Sequence, residues 1–179
     1  MIVLKSRHEI EIMREANRIT ALVVERIKEL IEPGISTLEL DQTAEDMIVK
    51  MGASPAFKGY RGYRHTLCTS INSQVVHGIP SDKVRLAKGD IISIDCGVLY
   101  KGYYGDHAWT FPVGEVDERA KKLLKAGETA LFEGIGKMFP GNRLYDISAA
   151  IEECAEGEGF SAVKEHARHG IGWGRWVSN

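Results

Sequence analysis

The run Ile91-Ile-Ser-Ile-Asp95-Cys-Gly-Val-Leu99, then Tyr100-Lys-Gly102, then Tyr104-Gly-Asp106-His-Ala-Trp-Thr110-Phe-Pro-Val113, reads as a β-hairpin. Two segments rich in β-branched and aromatic residues flank a short Gly-containing turn, and Lys88-Gly89-Asp90 turns the chain into the first of them. The hairpin carries Asp95 and Asp106, 11 residues apart, and cross-strand neighbours can bring two carboxylates to one face. Both sit among apolar or aromatic residues. Two converging carboxylates repel one another unless they share a proton or a cation, so a divalent metal ion suits this pattern. Spacing alone leaves a second arrangement open, with one Asp in a turn and the other facing solvent.

Two helices precede any strand. Ser6-Arg-His-Glu9 is a capping box, and Ile12, Met13, Ala16, Ile19, Val23, Val24, Ile27, Leu30 and Ile31 follow at helical spacing until Pro33-Gly34. A second capping box, Ser36-Thr-Leu-Glu39, opens a helix whose apolar face is Leu40, Ala44, Met47, Ile48 and Met51, closed by Gly52. A Gly/Tyr-rich loop, Gly59-Tyr-Arg-Gly-Tyr63, leads to a short predicted strand at Thr66–Ser70. Beyond the hairpin, a helical segment runs from Asp117 to Pro140-Gly141 and another is centred on Ile147–Cys154.

An offset of 107 residues carries Pro33-Gly34 onto Pro140-Gly141, Leu40 onto Ile147, Ala44 onto Ile151 and Gly52 onto Gly159. Helix, Pro-Gly, helix and Gly thus recur in order, as in an internal duplication. Chance likeness between two ordinary helical hairpins is the alternative. If the duplication is real, the second copy's hairpin falls past Asn179, and the second half of the fold is expected to be incomplete.

A chain of 179 residues suits one domain, here taken as 1–179. With 44% hydrophobic and 27% charged residues, neither disorder nor a fibrous architecture is indicated. The net charge of −2 with dispersed basic residues argues against a nucleic-acid partner or an anionic membrane surface. The N-terminus has no apolar signal-peptide run and no stretch is apolar enough to span a bilayer, so a cytoplasmic protein is expected. Cys68, Cys96 and Cys154 are odd in number and far apart, which predicts reduced thiols rather than disulfides or a zinc ribbon.

His77-Gly-Ile-Pro80 and His169-Gly-Ile-Gly172 each set an imidazole before a glycine, where the backbone can turn sharply and aim the ring into a cavity. Either could ligate a metal or polarise a carbonyl, or be an ordinary histidine; His8, His65, His107 and His166 are read as ordinary. Phe57, Tyr60, Tyr63 and Cys68 could wall an apolar pocket, or simply pack their loop. From the residues alone, a metal site is supported and no particular reaction.

Several of these segments together, Asp95-Cys-Gly-Val with Asp106, Asn72-Ser-Gln-Val-Val-His77-Gly-Ile-Pro80, Met13-Arg-Glu-Ala16 and Arg168-His169-Gly-Ile-Gly172, resemble the type I methionine aminopeptidases in order and spacing. The resemblance covers residues 1 to about 172. It implies an α+β pita-bread (creatinase/aminopeptidase) fold with two pseudo-twofold halves, which agrees with the 107-residue repeat. It implies a metal-dependent hydrolase that removes the N-terminal methionine from nascent proteins through a hydroxide activated by two divalent ions, Co, Mn, Fe or Zn. By motif, Asp95 matches a carboxylate on one metal, Asp106 the carboxylate bridging both, and His169 the histidine on the other. His77 matches the catalytic, substrate-contacting histidine beside the scissile bond. Phe57, Tyr60, Tyr63 and Cys68 match the pocket for the Met side chain, a suitable slot for an unbranched thioether.

The sequence departs from the family after Gly172. Where the family continues with Arg and a His-Glu-x-Pro segment, this sequence reads Trp173-Gly-Arg-Trp-Val-Ser-Asn179, and no Glu before residue 172 matches the family's two glutamate ligands. Impaired catalysis, exposed sheet edges and self-association through the uncovered surface are therefore expected. A catalytically inactive pita-bread module that binds peptides or a metal is the alternative function. A Xaa-Pro peptidase of the same fold is a third, disfavoured because those enzymes usually carry an additional N-terminal domain. Arg168 and Arg64 replace the family's usual Gly and Pro.

Overall fold

The structure is a computed structural model that describes residues 4–163 and 169–173. His166, Arg168 and the divergent tail from residue 174 onward lie outside the described residues. The chain divides into two compact units: Met1–Val116 with His169–Asn179, and Asp117–Arg168.

In the first unit, helices α1 (Arg7–Leu30) and α2 (Thr37–Lys50) lie on one face of an antiparallel sheet. Both predicted capping boxes form: Ser6 with Glu9, and Ser36 with Glu39, each side chain meeting the other residue's backbone N–H. Gly52 follows α2 at φ +73, the left-handed conformation that ends a helix without a Cβ penalty. The sheet comprises β1 (Ser54–Pro55), β2 (Leu67–Ile71), β3 (Ile91–Tyr100) and β4 (Tyr103–Pro112). Central β3 pairs with β4 on one side and with β1 and β2 on the other, all antiparallel. The predicted hairpin is β3–β4, turned by Lys101 and Gly102 alone, both at positive φ (47° and 83°), as a tight twisted hairpin requires.

Alternation along β3 sorts the side chains. Ile92, Ile94, Cys96 and Val98 are fully buried against Ile19, Val23, Ile27, Leu40, Ala44 and Ile48 of the helices. Helix α1 also crosses β4 closely: a Cβ at Gly105 would stand 2.5 Å from the Ala16 backbone carbon, so only glycine admits this approach.

In the second unit, helices α3 (Glu118–Ile135) and α4 (Leu144–Gly157) pack on each other, with Gly134 so close to Ile151 that a Cβ would fall 2.7 Å from its Cγ1. The 107-residue offset holds in three dimensions. It carries both ends of α2 onto both ends of α4, and the left-handed Gly34 and Gly52 onto the left-handed Gly141 and Gly159. The copies differ in burial. Five residues of α2 are buried and none of α4, while Phe132, Met138, Phe139 and Tyr145 are exposed.

Candidate functional site

The sheet face away from α1 and α2 carries both candidate acidic residues. In the β3–β4 register Asp95 opposes Ala108 and Asp106 opposes Gly97, so both carboxylates point to this face as diagonal neighbours. Cys68 of β2 opposes Asp95 directly, on the same face. Gly97 is where the aromatic pocket residue meets the sheet: a Cβ there would stand 2.4 Å from Cε1 of Phe57. The ring therefore sits against the backbone at Gly97, the position that opposes Asp106 and lies two residues from Asp95. Ala56 N–H donates to Gly97 O at 2.9 Å and seats that loop.

Tyr63 donates its hydroxyl to Leu67 O at 2.7 Å, which brings it beside Cys68. Burial pushes both the Tyr63 phenol and the Cys68 thiol above their ordinary values, so this wall of the site is neutral. Tyr60 stands at the exposed edge of the loop under the Arg61 guanidinium, 5.4 Å from its ring centre.

Burial first, then the neighbouring Asp106 carboxylate, push Asp95 up to about 7. Burial also raises Asp106, opposed by the nearby rings of His169 and His107 and by the His107 backbone. His169 arrives on β4's outer edge. Tyr104 N–H donates to Gly172 O at 2.9 Å, and His169 Nε2 then lies 3.7 Å from Asp106 Oδ2. Two carboxylates that resist ionising together, with an imidazole alongside, fit a divalent cation in donor type and charge. Among the described residues, however, no three His, Cys, Asp or Glu side chains already close into a metal-holding cluster.

His77, exposed as Tyr60 and His169 are, lies on the loop after β2. Among the described residues no ion pair joins it to either Asp. The sharp turn expected from Gly78 belongs instead to His77, whose own φ is +59°. That left-handed conformation costs a non-glycine residue roughly 1 kcal/mol and needs support from its surroundings.

Three supporting residues escape the sequence reading. Asn17 of α1 accepts the Asp106 backbone N–H at 3.2 Å and donates to Met13 O at 2.9 Å, fixing β4 at its acidic residue. Asp41 of α2 is 4% exposed, and its Oδ1 accepts both Thr66 N–H and Leu67 N–H at 2.8 Å, pinning the start of β2. Its other oxygen faces His65 Nδ1 at 3.3 Å. The third is Ser70 of β2, whose Oγ accepts the Gly78 N–H at 3.0 Å. A carboxylate one residue after Leu40, inside the apolar stripe of α2, was the available signal for Asp41.

The profile of metallopeptidase family M24 matches residues 11–175. Methionine aminopeptidase 1 of Bacillus subtilis is 52% identical over 172 residues, covering 96% of this chain and 69% of that protein. The crystal structure of methionine aminopeptidase from Thermotoga maritima superposes with a TM-score of 0.96 at 38% identity, covering 100% of this chain and 72% of that one. A Xaa-Pro dipeptidase from Bacillus anthracis shares the fold with a TM-score of 0.86 at 27% identity, covering 98% of this chain and 48% of that one.

Proposed function

Because the chain belongs to metallopeptidase family M24, among the methionine aminopeptidases, we propose that it removes the N-terminal methionine from peptides and nascent proteins. The single observation that carries this reading is the sharing of one sheet face by Asp95, Asp106, the Phe57 ring and Cys68. A cation-seeking acidic pair stands there beside an apolar slot. No such observation favours a catalytically inactive binding module.

Asp95, Asp106 and His169 would hold the divalent ions, two in a complete site, drawn from Co, Mn, Fe or Zn. When bound, such ions lower the pKa of water to give a nucleophile at neutral pH and stabilise charge on the scissile carbonyl. The chain's own residues do the rest. Phe57, Tyr63 and Cys68, with Tyr60 at the rim, receive the methionine side chain and exclude water from it. His77 meets the scissile amide and holds a proton for the departing amine. The exposed apolar residues Phe132, Met138, Phe139 and Tyr145 offer a surface for self-association, which is part of the proposal. A cytoplasmic setting is part of the proposal, and among the described residues no helix is long and apolar enough to cross a membrane.

Specificity tests this reading. With Mn2+ present, Met should be released from Met-Gly-Ser about 10- to 100-fold faster than Leu from Leu-Gly-Ser, the range a shape-selective apolar pocket provides. Turnover per chain that rises with protein concentration would show that the active form is self-associated. Equal release from both peptides would exclude a methionine pocket.

A further inference from the structure

We propose that Ser70 is a positioning residue for His77, acting through the backbone of Gly78; the inference rests on the role given to His77 above. The loop after β2 has little apolar anchorage, since Val75, Val76 and Ile79 are all exposed. Polar contacts at its two ends hold it instead. At the first end, Asn72 accepts Ile91 N–H at 3.0 Å and donates to Asp90 Oδ1 at 2.8 Å.

At the second end, Gly78 docks against the edge of β2 with both of its backbone groups. Its C=O accepts Thr69 N–H at 2.8 Å, and its N–H donates to Ser70 Oγ at 3.0 Å. The approach is close enough that a Cβ at Gly78 would lie 2.0 Å from Thr69 O and 2.8 Å from Ser70 Cα. Gly78 is buried and Ser70 is 3% exposed, so neither partner can turn to water instead.

The peptide between His77 and Gly78 is thereby fixed at its nitrogen. That fixes the left-handed turn at His77 and the direction in which its imidazole leaves the loop. Removing the Ser70 hydroxyl leaves a buried N–H without an acceptor. The cheapest relief is to swing that peptide outward, which returns His77 to negative φ and re-aims the ring. Ser70 reaches no substrate itself; it acts on His77 alone.

The test pairs kinetics with NMR on the full 179-residue chain with Mn2+, using Ser70→Ala, Ser70→Thr and His77→Ala. Ser70→Ala should lower kcat for Met-Gly-Ser about tenfold with KM within about twofold, and Ser70→Thr should restore most of it. Ser70→Ala added to His77→Ala should cost nothing further, because one residue acts through the other. The His77 Cα and Cβ shifts and its Hα–HN coupling should leave the left-handed signature in Ser70→Ala and keep it in Ser70→Thr. Retention of that signature with wild-type kcat in Ser70→Ala would overturn the proposal. If the wild-type chain releases no Met, or His77→Ala releases it at the wild-type rate, the role of His77 fails. The NMR comparison then decides the backbone clamp by itself.

Discussion

Asp95 and Asp106 occupy diagonal positions on one face of the β3–β4 ladder, joined through the Asp95–Ala108 and Gly97–Asp106 pairs. Three structural facts produce that juxtaposition. The Lys101-Gly102 turn sets the register, Asn17 fixes the backbone at Asp106, and close packing of α1 over Gly105 fixes the height of β4. Burial first, and then repulsion from the Asp106 carboxylate, hold Asp95 near 7 in the cation-free fold.

Replacing one carboxylate should relieve that repulsion. Asp95→Asn is expected to stabilise the cation-free protein by about 1–2 kcal/mol while abolishing the gain in Tm that Mn2+ gives the wild type. Thermal melts with and without Mn2+ check both halves. A variant less stable than wild type without cation, yet still stabilised by Mn2+, would contradict the arrangement.

Phe57 can lie on the sheet only because position 97 lacks a side chain. Gly97→Ala should displace the ring, cost about 1–3 kcal/mol by overpacking, and raise KM for Met-Gly-Ser more than it lowers kcat. Steady-state kinetics beside a urea titration separate the two effects.

Asp41→Ala leaves the buried amides of Thr66 and Leu67 without an acceptor, and should destabilise the fold by about 2–4 kcal/mol. Asp41→Asn, which keeps an acceptor oxygen, should lose less. Urea midpoints at constant m-value provide the comparison.

Glu9 supplies the acid dependence. Hydrogen bonds from the Tyr103 hydroxyl first, then from the Ser6 backbone and side chain, lower its pKa from 4.5 to about 2. Because the folded value lies below the unfolded one, the stabilisation is fully present above about pH 4.5 and lost as pH falls toward 2. Glu9→Gln should therefore melt below wild type at pH 7, with the difference closing in acid. A difference that persists unchanged at pH 2 would assign the effect to something other than the carboxylate.

Much of this was legible in the sequence because it was local or periodic. The two capping boxes, the hairpin and the repeat each rest on residues close together or at a fixed offset, and all appear in the fold. The motif order likewise announced the family. What was not legible depends on contacts between elements distant in sequence. Nothing local to Gly78 reveals that Thr69 O stands where its Cβ would be, so the turn was expected at the glycine and occurs at His77. Asp41 stands out as a carboxylate inside the apolar stripe of α2, but only the fold shows that it meets the start of β2.

The most direct measurement is Mn2+-dependent release of Met from Met-Gly-Ser by the purified chain, with Asp106→Asn beside it under the same conditions. The account predicts release that chelation stops and that Asp106→Asn lacks while remaining folded. Release that survives both chelation and the substitution would contradict a metal-dependent site built on this sheet face.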